Sequence, residues 1–147
     1  MNKRWGWLLV AAAVGGGAYY TLGPFSGLPS SDPRDGALVA RGERVYAQNC
    51  AACHGAAAVG EDPKLPQGGR KATGGYLAPA LNGTGHAWHH PPDALFEIIT
   101  EGSRAADSQM AGWGGRISDR DIGAVIAFIR SLWPGKVQAH YREQFEP

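Results

Sequence analysis

The 147-residue chain is short of cysteine, methionine, lysine and charge. Two cysteines are too few for a disulfide-dense scaffold or a four-Cys zinc site. Charged residues make up 18% of the chain, against roughly a quarter in an ordinary globular protein. The 14 basic and 13 acidic side chains leave a net charge of +1, whereas a nucleic-acid-binding domain carries a clear basic excess, so no nucleic acid partner is expected. Internal repeats and strand-length alternating runs are also missing, and the expected class is all-α. Glycine (22) and proline (10) are plentiful and predict long irregular connections.

One apolar run stands apart. Lys3 and Arg4 precede an uncharged stretch of 18 residues from Trp5 to Leu22. At helical rise it covers about 27 Å, just under the roughly 30 Å hydrocarbon core of a bilayer. Trp5 and Trp7 mark one end and Tyr19 and Tyr20 the other, where interfacial aromatics belong. Residues 1–23 are expected to be a transmembrane helix or a signal peptide cleaved near Gly16-Gly17-Ala18. Either way the basic flank stays in the cytoplasm and the rest is exported to the periplasmic side, membrane-anchored or soluble. Residues 24–36 read as a linker and 37–134 as the folded domain. Residues 135–147, after the Pro134-Gly135 break, read as a polar tail lying on the surface or fraying.

Three helices are expected in the domain. The first runs from about Asp35 to Cys53, with Leu38, Gly42, Val45, Tyr46 and Asn49 on one face. Pro91-Pro92-Asp93 opens the second, which Gly102 ends. Ser118 and Asp121 have capping-box spacing at the start of the third, and Ile117 and Ile122 are placed as a hydrophobic staple. Ile122, Val125, Ile126 and Ile129 then form its buried stripe, with Phe128 on the flank, until Pro134. Between the first two helices, Gly55 to Gly85 shows no periodicity, and a connection of that length is expected to wrap something.

The most informative motif is Cys50-Ala51-Ala52-Cys53-His54. Two thiols three residues apart near a helix end can each form a thioether to one haem, and the adjacent His54 then supplies an axial nitrogen to the iron. A thioredoxin-like redox pair would follow a strand and open a helix, yet Val45 to Asn49 continue an amphipathic helix. Zinc would call for further Cys or His ligands at short spacing. Two unrelated neighbouring cysteines would tend to oxidise in an exported chain.

The iron's other axial ligand has to come from elsewhere in the chain. With Met1 on the cytoplasmic side, Met110 is the one methionine available, in the loop Ser108-Gln109-Met110-Ala111-Gly112-Trp113. A gap-filling core methionine is the ordinary alternative, but the Gly and polar neighbours describe a loop. His86, His89, His90 and His140 are the rival ligands. A thioether raises the reduction potential, whereas a second imidazole lowers it.

With these residues in hand, Gly36 to Pro134 resembles a class I, monohaem c-type cytochrome domain. Gly42 and Tyr46 match the small and aromatic positions of that family's first helix, and Val125 and Phe128 the positions they meet on its last. Pro79 matches the proline whose carbonyl accepts the proximal histidine's other N–H, and Met110 the distal-ligand loop. The resemblance implies a cytochrome c fold of three or more helices wrapped around one covalently bound haem c, behind an N-terminal transmembrane helix. It also implies one-electron transfer between redox protein donors and acceptors at the membrane, without enzymatic bond chemistry. A fixed haem subunit of a respiratory or dehydrogenase complex is the alternative within that class, and a haem-based ligand sensor the alternative outside it. The lysine-rich docking face of mitochondrial-type members is missing, since the chain has four lysines, and weakly salt-dependent encounters are expected instead.

Several side chains keep two readings. Trp88, within His86-Ala87-Trp88-His89-His90, is either a haem-propionate donor or a packing residue. The histidines around it are either metal or partner contacts, as in a metal-handling protein, or solvated. The plainer reading is preferred for His89 and His90, because no carboxylate or cysteine completes a ligand set. Trp113 is expected to pack near the haem, and Arg70, Lys71 and Arg116 read as surface side chains.

Overall fold

A computed structural model describes residues 27–146. The anchor or signal segment expected over residues 1–23 lies outside them. No helix among the described residues is long and apolar enough to cross a membrane.

Helix α1 spans Gly36–Asn49. Asp35 caps it, its carboxylate accepting the N–H groups of Ala37 and Leu38 at 3.0 Å each and so satisfying donors that the first turn leaves free. The chain continues through Cys50 into a single further turn, α2, Ala51–His54. The expected helix over Asp35–Cys53 is thus present with a break at the first cysteine. The two-residue strands β1, Gly69–Arg70, and β2, Tyr76–Leu77, form a small antiparallel hairpin, the one departure from the all-α expectation. Around it the glycine-rich stretch is tied into turns: Ala80 N–H donates to Pro66 O (2.9 Å) and Leu81 N–H to Ala58 O (2.8 Å). A 3-10 turn at Ala87–His89 leads into α3, Pro92–Glu101, which ends at Gly102 as expected.

Helix α4, Asp119–Ser131, is the centre of the molecule, and every residue from Ile122 to Arg130 is buried. Ser118 caps it by accepting the Asp121 N–H at 3.2 Å. Where α1 crosses it, a Cβ on Gly42 would lie 1.9 Å from the Ala124 carbonyl oxygen, so only glycine lets the two backbones touch. One turn on, the rings of Tyr46 and Phe128 sit 5.1 Å apart, and Tyr46, 1% exposed, donates its hydroxyl to Gly55 O at 2.8 Å. Tyr46, Ala58, Val125, Phe128 and Ile129 form one core cluster on this side of α4. Leu95, Ile122, Ile126, Trp133 and Tyr141 belong to a second. Burial of each large apolar side chain contributes about 2 kcal/mol.

The polar tail expected after Pro134 is instead a packed helix, α5, Gly135–Phe145. Val137, Tyr141 and Phe145 recur every four residues and face the second cluster, with Tyr141 fully buried and 5.0 Å from both the Trp133 and Phe145 rings. Arg130, only 4% exposed, fastens this helix. Its guanidinium pairs with Glu146 at 2.7 Å and lies 4.6 Å over the Tyr141 ring. It also donates to the Ser31 carbonyl at 3.1 Å. The described part of the linker is therefore laid against α4, with Pro29 and Ser30 passing over Gly123.

Candidate functional site

The helix α1 that Gly42 and Tyr46 lock in place delivers Cys50, Cys53 and His54 at its C-terminal end. Both thiols are free of a disulfide, with Cys53 exposed and Cys50 half-buried beside the Tyr46 cluster. Burial, with the neighbouring Cys53, pushes the Cys50 thiol up to about 11. A thioredoxin-type cysteine follows a strand, whereas Cys50 follows directly on the 14-residue helix α1, a placement that does not suit that chemistry. No group of three or more His, Cys, Asp or Glu side chains among the described residues is arranged to hold a metal ion.

His54 is 8% exposed. Its Nδ1 lies 2.8 Å from the Pro79 carbonyl oxygen, the contact expected from sequence. That carbonyl can only accept, so Nδ1 carries the proton and Nε2 keeps its lone pair. Desolvation holds the imidazole below its ordinary pKa despite this hydrogen bond, which favours the neutral, ligating form. Two unpaired thiols and an oriented, neutral imidazole on one helical turn are the donor set that a thioether-linked haem calls for, and the residues present fit that group.

Met110 belongs to neither core cluster and is half-buried in a loop. Its N–H donates to Ser108 Oγ (3.2 Å) and its carbonyl accepts from Ser103 (3.0 Å). Gly102 bridges to Ala111, which closes this loop on the end of α3. Met110 thus lies in a loop and not on a buried helix face. Trp113 follows, half-buried, with its N–H bonded to Ile99 O at 2.9 Å and the Arg116 guanidinium 4.2 Å over its ring.

The Trp88 indole N–H donates to Gly85 O at 3.0 Å. Its ring is stacked on His89 (centroids 3.6 Å) and edge-on to His140 of α5 (5.8 Å). These contacts are packing. His86 and His90 face each other at 5.9 Å, without the further ligands of a metal centre.

Sequence reasoning missed Lys71. It is 22% exposed, and its ammonium meets Glu61 at 2.8 Å and Gln109 Oε1 at 3.1 Å. Nothing local foretells a contact between residues so far apart along the chain.

Residues 37–129 match the family described as "Cytochrome C oxidase, cbb3-type, subunit III". The chain is 34% identical over 113 residues to the cbb3-type cytochrome c oxidase subunit FixP of Bradyrhizobium diazoefficiens, covering 76% of this chain and 32% of that protein. A thiosulfate dehydrogenase of Stutzerimonas stutzeri is 34% identical over 100 residues, 67% of this chain and 29% of that one. The chain thus spans about a third of the length of these two relatives. Cytochrome c6 of Picosynechococcus is 36% identical over 99 residues, 66% of this chain and 75% of that protein. Among solved structures, cytochrome cL of Methylophaga aminisulfidivorans superposes with a TM-score of 0.51 at 18% identity, covering 100% of this chain and 84% of that one, a likeness of fold. Sequence, fold and donor set agree: the chain belongs to the cytochrome c family, in the cbb3-type oxidase subunit III group, whose cofactor is covalently bound haem c.

Proposed function

We propose that this domain is a one-electron carrier in which Cys50 and Cys53 hold a single haem c and His54 and Met110 occupy its axial positions. The observation that carries the reading is the His54–Pro79 bond beside two free thiols. When bound, the haem supplies a one-electron iron couple. The chain's part is to hold it and set its preference. Pro79 fixes the tautomer and ring plane of His54. The soft Met110 thioether favours the reduced state. With His54 and Met110 both holding the haem iron, the group would supply electron exchange rather than bond chemistry.

The N-terminal run is read as a membrane anchor that keeps the domain on the periplasmic side, near redox protein donors and acceptors at the membrane. A second reading, a fixed haem subunit of a larger complex, draws support from two observations. Relatives are named as subunits of cbb3-type oxidases, and Arg130 and Gly123 receive the incoming segment instead of leaving it loose. Stoichiometric co-purification of partner subunits from detergent extracts supports the fixed reading, and its absence supports the mobile one.

Optical spectroscopy of purified protein tests the site. Reduced alkaline-pyridine bands of thioether-bound haem are expected, lost in the double variant Cys50→Ala, Cys53→Ala. The near-infrared sulfur–iron band of the oxidised protein is expected, lost in Met110→Ala. Colourless protein, or pigment extracted by acid acetone, overturns the reading. Rapid carbon monoxide binding to the native reduced protein would favour a ligand sensor.

A further inference from the structure

We propose that Lys71 is a positioning residue for Met110, the centre of a polar clasp that joins the two axial sides of the site. This rests on the reading of Met110 as an iron ligand. The clasp begins one residue before Pro79, whose carbonyl meets His54. Ala78, the residue before Pro79, exchanges two hydrogen bonds with Glu61: Glu61 N–H to Ala78 O at 2.9 Å, and Ala78 N–H to Glu61 Oε2 at 3.2 Å. The other carboxylate oxygen of Glu61 takes the Lys71 ammonium at 2.8 Å. The same ammonium donates to Gln109 Oε1 at 3.1 Å, and Gln109 is bonded in sequence to Met110. From Ala78, next to the proline that orients His54, the path thus runs through the side chains of Glu61, Lys71 and Gln109 to the residue before Met110.

The hairpin is shaped to bring Lys71 there. Lys71 N–H donates to Gly75 O and Gly74 N–H to Lys71 O, both at 3.1 Å, closing the turn between β1 and β2. Gly75 is itself packed on the 105–110 loop. A Cβ on it would stand 3.3 Å from Gln109 Nε2 and 3.4 Å from the Asp107 carbonyl. Arg70, 3.7 Å from Asp107, adds a weaker contact in solvent. A lysine held by a carboxylate on one side and an amide on the other donates in two directions at once, and here those directions lead to the two ligand-bearing segments. Its loss leaves the Met110 loop free to lift while the helices stay packed.

The test uses the haem-loaded full chain. Exogenous imidazole competes with a methionine for ferric iron, and its binding rate reads how often the loop opens. Lys71→Ala and Gln109→Ala are both expected to keep the near-infrared sulfur–iron band and to bind imidazole about three- to tenfold faster, the equivalent of one hydrogen bond. Lys71→Arg, which can still donate to both partners, is expected to restore the parental rate, and Lys64→Ala is the exposed control with no change. Gln109→Ala leaves the Lys71–Glu61 pair in place, so the question remains answerable if Lys71→Ala fails to accumulate. Unchanged imidazole rates in variants that retain the band overturn the clasp alone. A parent protein without the band overturns methionine ligation, and the clasp with it.

Discussion

The side of the molecule that carries Cys50, Cys53 and His54 and the side that carries Met110 are held by different forces. Around the first, backbones touch at Gly42 and Ala124, Tyr46 and Phe128 pack ring on ring, and a main-chain carbonyl fixes His54. Around the second, an irregular loop is fastened to the end of α3 and by side chains that reach through solvent, such as Arg70 to Asp107. Buried backbone contact admits one geometry and is indifferent to salt. Exposed ion pairs are weak, screened and replaceable. The Cys50–His54 side is thus rigid and intolerant, and the Met110 side is adjustable.

The contrast orders the expected effects of substitution. Gly42→Val drives a side chain into the Ala124 carbonyl and is expected to cost about 3 kcal/mol or more, because neither helix can move without opening the core. Thermal melting of the haem-loaded variant measures this, and a midpoint within about 2 °C of the parent would refute it. Gly112→Ala also builds a close contact, 2.7 Å from Thr100 O, but in a loop that can shift. About 1–2 kcal/mol is expected from denaturant midpoints at unchanged slope. A loss as large as that of Gly42→Val would mean that the distal loop is no softer than the helix crossing.

Smaller effects come from the cap of α4. Ser118→Ala is expected to cost about 1 kcal/mol. Hydrogen bonds from Arg41 and then Ser118 hold the Asp121 carboxyl below its ordinary value of 3.8. Its contribution is therefore complete above that value and is lost as pH falls through the depressed one. Asp121→Asn should remove this part of the acid sensitivity, and urea titrations at pH 6 and at pH 3 would expose it as a smaller gap between the two (about 3 is near the ordinary carboxylate range). Least of all, Arg70→Ala should fall within about 0.5 kcal/mol of the parent, since both partners are mostly exposed.

The rigid side was readable in the sequence because its signals are local. Cys50 to His54 are contiguous, Ser118 and Asp121 are one helical turn apart, and Gly42 and Tyr46 lie on one face of one helix. Pro79 came from the family resemblance, and its carbonyl lies 2.8 Å from His54 Nδ1. The distal clasp was not readable. Lys71 and Gln109 are brought together only by the path of the hairpin, and no propensity encodes that. Helix α5 was missed for another reason: its start has neither an acidic first turn nor a side-chain cap. The signal that would have found it was the four-residue spacing of Val137, Tyr141 and Phe145, which net polarity masked. Trp88 kept two readings because the sequence does not show that a single turn offers its indole a carbonyl three residues back.

Arg130 touches the Ser31 carbonyl, the Tyr141 ring and the Glu146 carboxylate. The strand of chain entering the domain and the last helix leaving it are thus riveted to one side chain at its centre. One buried guanidinium therefore couples the segment before α1 to α5, so a change at Arg130 is felt at both.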